Sequence, residues 1–274
     1  MGKCMVAACQ MEILMGDLEE NIHEVERFLK IAAKKGADIV VFPECALTGY
    51  SVRSREEAEL LSITVDSDHI KNFAKICHEF QIYAVIGFIE RDGAKLYNSV
   101  VMLGPNNFQA IHRKIHTSFV GIDRFVDEGN IPLKVYELPF GKIGFYICYD
   151  HNFPETARSL ALDGVQLICI STNWNEQAKH IALALSKVRA FENNVFIACA
   201  DRIGMERGNR FIGLSHITNQ YGTLVAQAGE FQEEIIFASL DLDLADEKKI
   251  MVRENEYVDF MADRRVDFYH KIIK

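Results

Sequence analysis

The chain has 274 residues, 49% hydrophobic and 25% charged, with a formal net charge of -9. That composition provides a sizeable core and argues against disorder, while an acidic balance with no Lys/Arg run argues against nucleic acid as the main partner. No apolar run approaches the ~18 residues that cross a bilayer, and the opening MGKCMVAACQMEIL lacks a signal-peptide layout, so the expected address is the cytoplasm.

In chain order, residues 3 to 11 read as a strand. Asp17 to Lys35 carries Leu18, Ile22, Val25, Leu29 and Ala32 at helical spacing, with Gly36 placed to end the helix. ADIVVFPE is a buried strand ending on Glu44. Ser51 to Thr64 reads as a loop, Ser67 to Phe80 as an amphipathic helix, and IYAVIGFIE and LYNSVVML as a hairpin turning at Asp92-Gly93. PNN turns the chain into FQAIHRK, which ends on Lys114, and Thr117 to Pro132 reads as a loop. In the second half KVYEL and KIGFYIC are strands, and the latter ends on Cys148. Pro154 to Asp163 is a short helix with Pro at its start. VQLICIST, a helix over Gln177 to Asn193, VFIACADR, GLSHITN, TLVAQA and IIFASLDLDL follow, and a charged helix is expected near Leu244. No linker divides the chain, so one domain over 1–274 is expected, with helices layered over a mixed sheet or over two sheets packed face to face.

The seven cysteines are odd in number and form no CxxC, and several lie inside apolar runs. This is the usage of a reduced compartment, with most thiols acting as small buried hydrophobes.

Glu44, Lys114 and Cys148 each end a strand, where open α/β sheets place their ligand crevice. Taken singly, each has an ordinary explanation: a solvent-facing carboxylate, a hydrated lysine, a core thiol. Together they make a mechanism. A free thiol near pKa ~8.5 is mostly protonated at neutral pH and needs a base. Attack on a carbonyl or nitrile carbon builds negative charge that an ammonium and a backbone N–H can hold.

With these residues in hand, the chain resembles the nitrilase superfamily, the carbon–nitrogen hydrolases, over nearly its whole length. FPECALTGY is similar to the family's base-bearing segment, HRKIH to its lysine segment and GFYICYDHNFPE to its nucleophile segment. STNW at Ser171 to Trp174, RAFENNVFIACADRIG and GLSHITNQYG extend the likeness. The resemblance implies a four-layer αββα sandwich, a homodimer or larger homo-oligomer, no metal or organic cofactor, and a catalytic triad of Glu44 as base, Lys114 as oxyanion stabiliser and Cys148 as nucleophile. It also departs from the family. The usual second glutamate falls at Ile122 when counted back from Gly129; Asp123, with a shorter reach, is the candidate replacement ahead of Asp127 and Glu128 beside the turn glycine, and a surface loop would explain all three carboxylates equally well. Tyr149-Asp150 after the nucleophile is similar to the amidase and carbamoylase branches rather than to nitrile-cleaving members, which implies a small amide or ureido substrate. Tyr50, Tyr149, Asn173 and Trp174 are candidate pocket residues. Arg53, Arg124 and Arg202 are candidates for a substrate carboxylate or for ordinary surface charge.

Other readings carry less. His112 and His116 have zinc-like spacing, but the segment is a strand and shows no third ligand. A papain-like pairing of Cys148 with His151 leaves Glu44 and Lys114 without roles. Amide transfer to an acceptor other than water, nitrile hydrolysis, and a binding protein that has lost turnover stay as alternatives.

Overall fold

A computed structural model describes residues 3–272. In chain order the elements are β1 (Lys3–Gln10), α1 (Leu18–Lys34), β2 (Ile39–Val41), α2 (Arg55–Leu61), α3 (Asp68–Phe80), β3 (Tyr83–Asp92), β4 (Lys95–Gly104), β5 (Phe108–Arg113), β6 (Tyr136–Leu138), β7 (Gly141–Ile147), α4 (Pro154–Leu162), β8 (Leu167–Thr172), α5 (Lys179–Asn193), β9 (Phe196–Asp201), β10 (Ile203–Glu206), β11 (Asn209–Ile212), β12 (His216–Thr218), β13 (Leu224–Gln227), β14 (Glu234–Asp241), β15 (Lys249–Arg253) and β16 (Glu256–Asp259).

Two six-stranded sheets form the centre, in the orders β14-β1-β2-β3-β4-β5 and β13-β12-β9-β8-β7-β6. Each has a parallel heart, β1-β2-β3 in one and β7-β8-β9 in the other, flanked by antiparallel strands. Side chains alternate across a strand, so β1 and β2 serve two cores. Ala7, Cys9 and Val40 face α1 and α3, packing with Val25, Phe28, Leu29 and Phe73. Val6, Ala8, Ile39 and Val41 face the other sheet, joining Phe145, Ile147 and Ile170. The result is the expected αββα sandwich, with α4 and α5 as the outer layer of the second half. The helices start where small polar side chains take up free N–H groups: Asp17 caps α1, Ser54 caps α2 and Ser67 caps α3.

Two sequence expectations are corrected, and one element had no counterpart among them. The stretch from Ser51 to Thr64 is not all loop, because α2 forms inside it behind the Ser54 cap. No charged helix starts at Leu244. A 3-10 turn over Leu242–Ala245 leads instead into the β15–β16 hairpin. There Ile250, Val252, Tyr257 and Val258 favour strand, and Asn255 accepts the left-handed turn conformation at φ +62°. The β10–β11 hairpin, turning at Arg207-Gly208, was not anticipated at all.

Candidate active site

Glu44 is not on its strand. β2 ends at Val41, and Phe42-Pro43 carry the chain into a turn that Pro43, lacking an N–H, cannot extend as sheet. The turn lies hard against β3 where Gly87 has no side chain: a Cβ there would sit 2.5 Å from the Pro43 carbonyl oxygen and 2.9 Å from Glu44 Cα. The Glu44 N–H donates to the Thr172 carbonyl at 3.4 Å, tying this turn to the end of β8 in the other sheet. Lys114 follows β5, and its N–H donates to the Asn98 carbonyl at 2.8 Å. Cys148 follows β7 as the first residue of a 3-10 turn, with φ +39°. That conformation is strained for a side chain other than glycine's and is held by its surroundings.

The side chains converge. Lys114 Nζ donates to Glu44 Oε1 at 2.8 Å and to Asp123 Oδ2 at 2.7 Å. Asn98 Nδ2 donates to the same two carboxylates, at 2.6 Å to Glu44 Oε1 and 3.0 Å to Asp123 Oδ1, and its oxygen accepts from Cys45 Sγ at 3.6 Å. Asp123 is further fixed by the Ser118 N–H and hydroxyl. All of Glu44, Asn98, Lys114 and Asp123 are buried. Glu44 Oε2 has no partner, which leaves one carboxylate oxygen for chemistry.

Burial raises the Glu44 carboxyl above its ordinary value, although Lys114 pulls the other way. Burial alone would lower Lys114; the charges of Glu44 and Asp123 outweigh it and keep the ammonium charged. Burial and then the Glu44 charge push the Cys148 thiol well up, against the opposing pull of the Lys114 charge. The shifts oppose ionisation of the thiol and of the Glu44 carboxyl and favour the charged form of Lys114.

A second cluster locks the turn that begins at Cys148 to β5 and the residues that follow it. Asp150 Oδ2 accepts from His112 Nε2 at 3.0 Å and from the Ile147 N–H at 3.2 Å, while Oδ1 accepts from the His116 N–H at 2.9 Å and from His116 Nδ1 at 2.8 Å. His112 and His116 thus share a third group after all, but it is a hydrogen-bonded clamp. Among the described residues no His/Cys/Asp/Glu group has an arrangement that could hold a metal ion. His151 turns away from the thiol and bonds Tyr146 and Ser186.

A cavity of about 360 Å³ opens over this floor and is lined by Lys114 and Cys148 together with Tyr50, Tyr149, Asn173 and Trp174. All four expected pocket residues are therefore on its wall. Asp123 is not: it lies behind Lys114 and touches the lysine. Of the candidate arginines, Arg202 is fully buried in a pair with Glu206 at 2.8 Å, Arg124 donates to the Val52 carbonyl, and Arg53 is exposed away from the cavity. Sequence reasoning missed Asn98, whose only signal is a polar residue inside the apolar run LYNSVVML. It also missed Phe211 and Asn209, which reach the wall from β11. Glu206, which accepts from the Tyr50 and Ser51 N–H groups and so holds the Tyr50 loop, was missed too.

Residues 5–250 match the carbon–nitrogen hydrolase family. The chain is 36% identical to a nitrilase of Pyrococcus abyssi, covering 97% of this chain and 99% of the relative. It is 30% identical to an omega-amidase of Xenopus tropicalis over 91% of each. Among solved structures, a carbon–nitrogen hydrolase from Helicobacter pylori superposes with a TM-score of 0.85 at 22% identity over 99% of both chains. A Nesterenkonia amidase gives 0.82 at 19% identity over 99% and 97%.

Proposed function

The chain belongs to the carbon–nitrogen hydrolase family, and from that premise we propose that it cleaves the non-peptide C–N bond of a small amide or N-carbamoyl compound through a Cys148 thioester. The observation that carries the proposal is the Lys114 ammonium held between the Glu44 and Asp123 carboxylates beneath the cavity that Cys148 also lines.

The amide carbon binds over Cys148. Glu44 takes the Sγ proton as the sulfur attacks, and the carbonyl π pair moves to oxygen. The Lys114 ammonium and the Tyr149 backbone N–H hold that oxyanion. Collapse breaks the C–N bond, the Glu44 proton goes to the leaving nitrogen, and ammonia or an amine departs from a thioester. Glu44 then takes a proton from water, whose oxygen attacks the thioester. The acid leaves, and the proton returns to sulfur. A raised carboxyl pKa suits Glu44 to both transfers, because a base works best when its pKa nears the working pH.

The likeness to a nitrilase keeps nitrile hydrolysis as a second reading, since the same thiol can attack a nitrile carbon. The family resemblance further supports self-association into a homodimer or larger homo-oligomer, and Leu162, Val188 and Phe191 on α4 and α5 are exposed apolar side chains that a copy would cover. Ammonia release from small amides, N-carbamoyl compounds and nitriles, each run with Cys148→Ala, tests the reading. Release that disappears in the variant supports it, and the preferred class separates the two readings. Substantial turnover by Cys148→Ala would overturn the thioester route. Added hydroxylamine traps the thioester as a hydroxamate, and the ratio of hydroxamate to free acid measures the partition between an amine acceptor and water.

A further inference from the structure

The cavity wall also bears on the substrate's charge, an inference that rests on the amide-cleaving reading above. Asn173 is 6% exposed, and neither its side-chain oxygen nor its side-chain nitrogen has a partner. It stands on the cavity wall just past the end of β8, and Cys148 lines the same cavity. A buried carboxamide with both ends free is costly unless a ligand completes it. The matching ligand group both donates and accepts, as an amide or ureido group does.

Cations on the wall are few. Among the described residues no arginine lines the cavity, and its basic side chains are Lys114 and His180. Lys114 already serves two carboxylates, and His180 is exposed. The buried charges beneath the wall, Glu44, Asp123 and Lys114, leave an excess of one negative charge. Asp201 adds a buried carboxyl whose Oδ1 accepts from the Trp174 N–H and whose Oδ2 has no partner; burial favours its uncharged form, so it offers an anion no attraction. A substrate carboxylate entering here would lose water without gaining a free cation, beside groups of its own sign. Val120, Trp174, Ile181 and Phe211 offer it apolar surface instead.

We propose that this cavity takes an uncharged amide or ureido compound with a short apolar acyl side, its reacting amide hydrogen-bonded to the Asn173 carboxamide, and that it rejects substrates carrying a second, anionic end. At about 360 Å³ it lies near the small end of ligand pockets.

The test compares two amides of the same shape on the full chain: succinamate and 4-methylpentanamide, in which an isopropyl group replaces the carboxylate. The neutral amide is expected to have the higher kcat/KM by about tenfold or more. Asn173→Ala and the isosteric Asn173→Asp are expected to lower that value about tenfold, mainly through KM. Gln177→Arg, which places a cation on the wall, is expected to narrow the gap by improving succinamate. Equal or better turnover of succinamate by the unaltered chain overturns the inference and leaves the amidase reading standing. Unchanged kinetics in both Asn173 variants overturn the role of Asn173. Ammonia from neither compound, nor from an uncharged N-carbamoyl compound assayed alongside, overturns the proposed function and the inference with it.

Discussion

The Asp123 carboxylate accepts a hydrogen bond from the Lys114 ammonium at 2.7 Å, across a separation of nine residues. The 3-10 turn over Gly121–Arg124 makes this possible. It buries Ile122 among Tyr50, Val52 and Phe211 and swings the next residue inward. The short aspartate side chain then reaches the lysine, while Ser118 and Asn98 fix its two oxygens.

Asp123→Asn is therefore expected to leave a folded protein with a misplaced lysine. A displacement of about 1 Å in such a group costs roughly 10²-fold in rate, and breaking one arm of a buried ion pair costs about 3–5 kcal/mol of stability. Steady-state kinetics and urea unfolding of the variant check both. Activity within twofold of the unaltered chain would separate Asp123 from the chemistry.

The proposed trio of Glu44, Lys114 and Cys148 was legible as candidates because each member ends or follows an apolar strand, where a reactive side chain is conspicuous. The groups that hold the trio were not. Asn98 sits mid-strand, and its meaning depends on Glu44 and Asp123, which are 54 and 25 residues away. Glu206 and Phe211 come from MERGNRF, a charged stretch with no strand pattern, whose hairpin closes because Arg207 and Gly208 both take positive φ. The helix expected near Leu244 was suggested by ADEKKI, a run of helix-favouring charge, and the β-forming residues after it decided otherwise.

The pH profile should show the Glu44 environment. Burial raises this carboxyl, and the base acts only when deprotonated. Activity should therefore be lost as pH falls, with the acid limb of kcat/KM above the usual glutamate value of about 4.3. Glu44→Gln is expected to abolish turnover at every pH. An acid limb at or below the usual value in the unaltered chain would contradict the buried-base assignment.

Cys148 has φ +39°, a conformation that costs a side-chain-bearing residue about 1–3 kcal/mol and glycine almost nothing. Both Cys148→Ala and Cys148→Gly remove the thiol, so neither should turn over. Cys148→Gly is nonetheless expected to be the more stable of the two by about 1 kcal/mol, even with glycine's larger unfolded-state entropy. Urea midpoints decide the matter. A less stable glycine variant would mean that the elbow holds no strain.

Asp150 joins the turn that begins at Cys148 to β5 and the residues that follow it through four accepted hydrogen bonds, and its effect should appear in stability as well as in rate. Burial opposes its charge, but the bonds from His112 and His116 outweigh burial and hold the carboxyl well below the usual range. A group whose pKa is depressed by folding adds stability above its unfolded value, near 3.9, and that stability is lost as pH falls below it. The unaltered chain should therefore lose stability on acidification more steeply than Asp150→Asn. At neutral pH the variant should be less stable by about 1.5–3 kcal/mol, the usual worth of a hydrogen bond to a charged group. Because the Ile147 N–H and His116 are released together, the variant should also lower kcat more than it raises KM. Urea midpoints for both proteins at several pH values between 3 and 7 measure the first effect. Parallel curves would show that the clamp contributes nothing specific to the charge on Asp150.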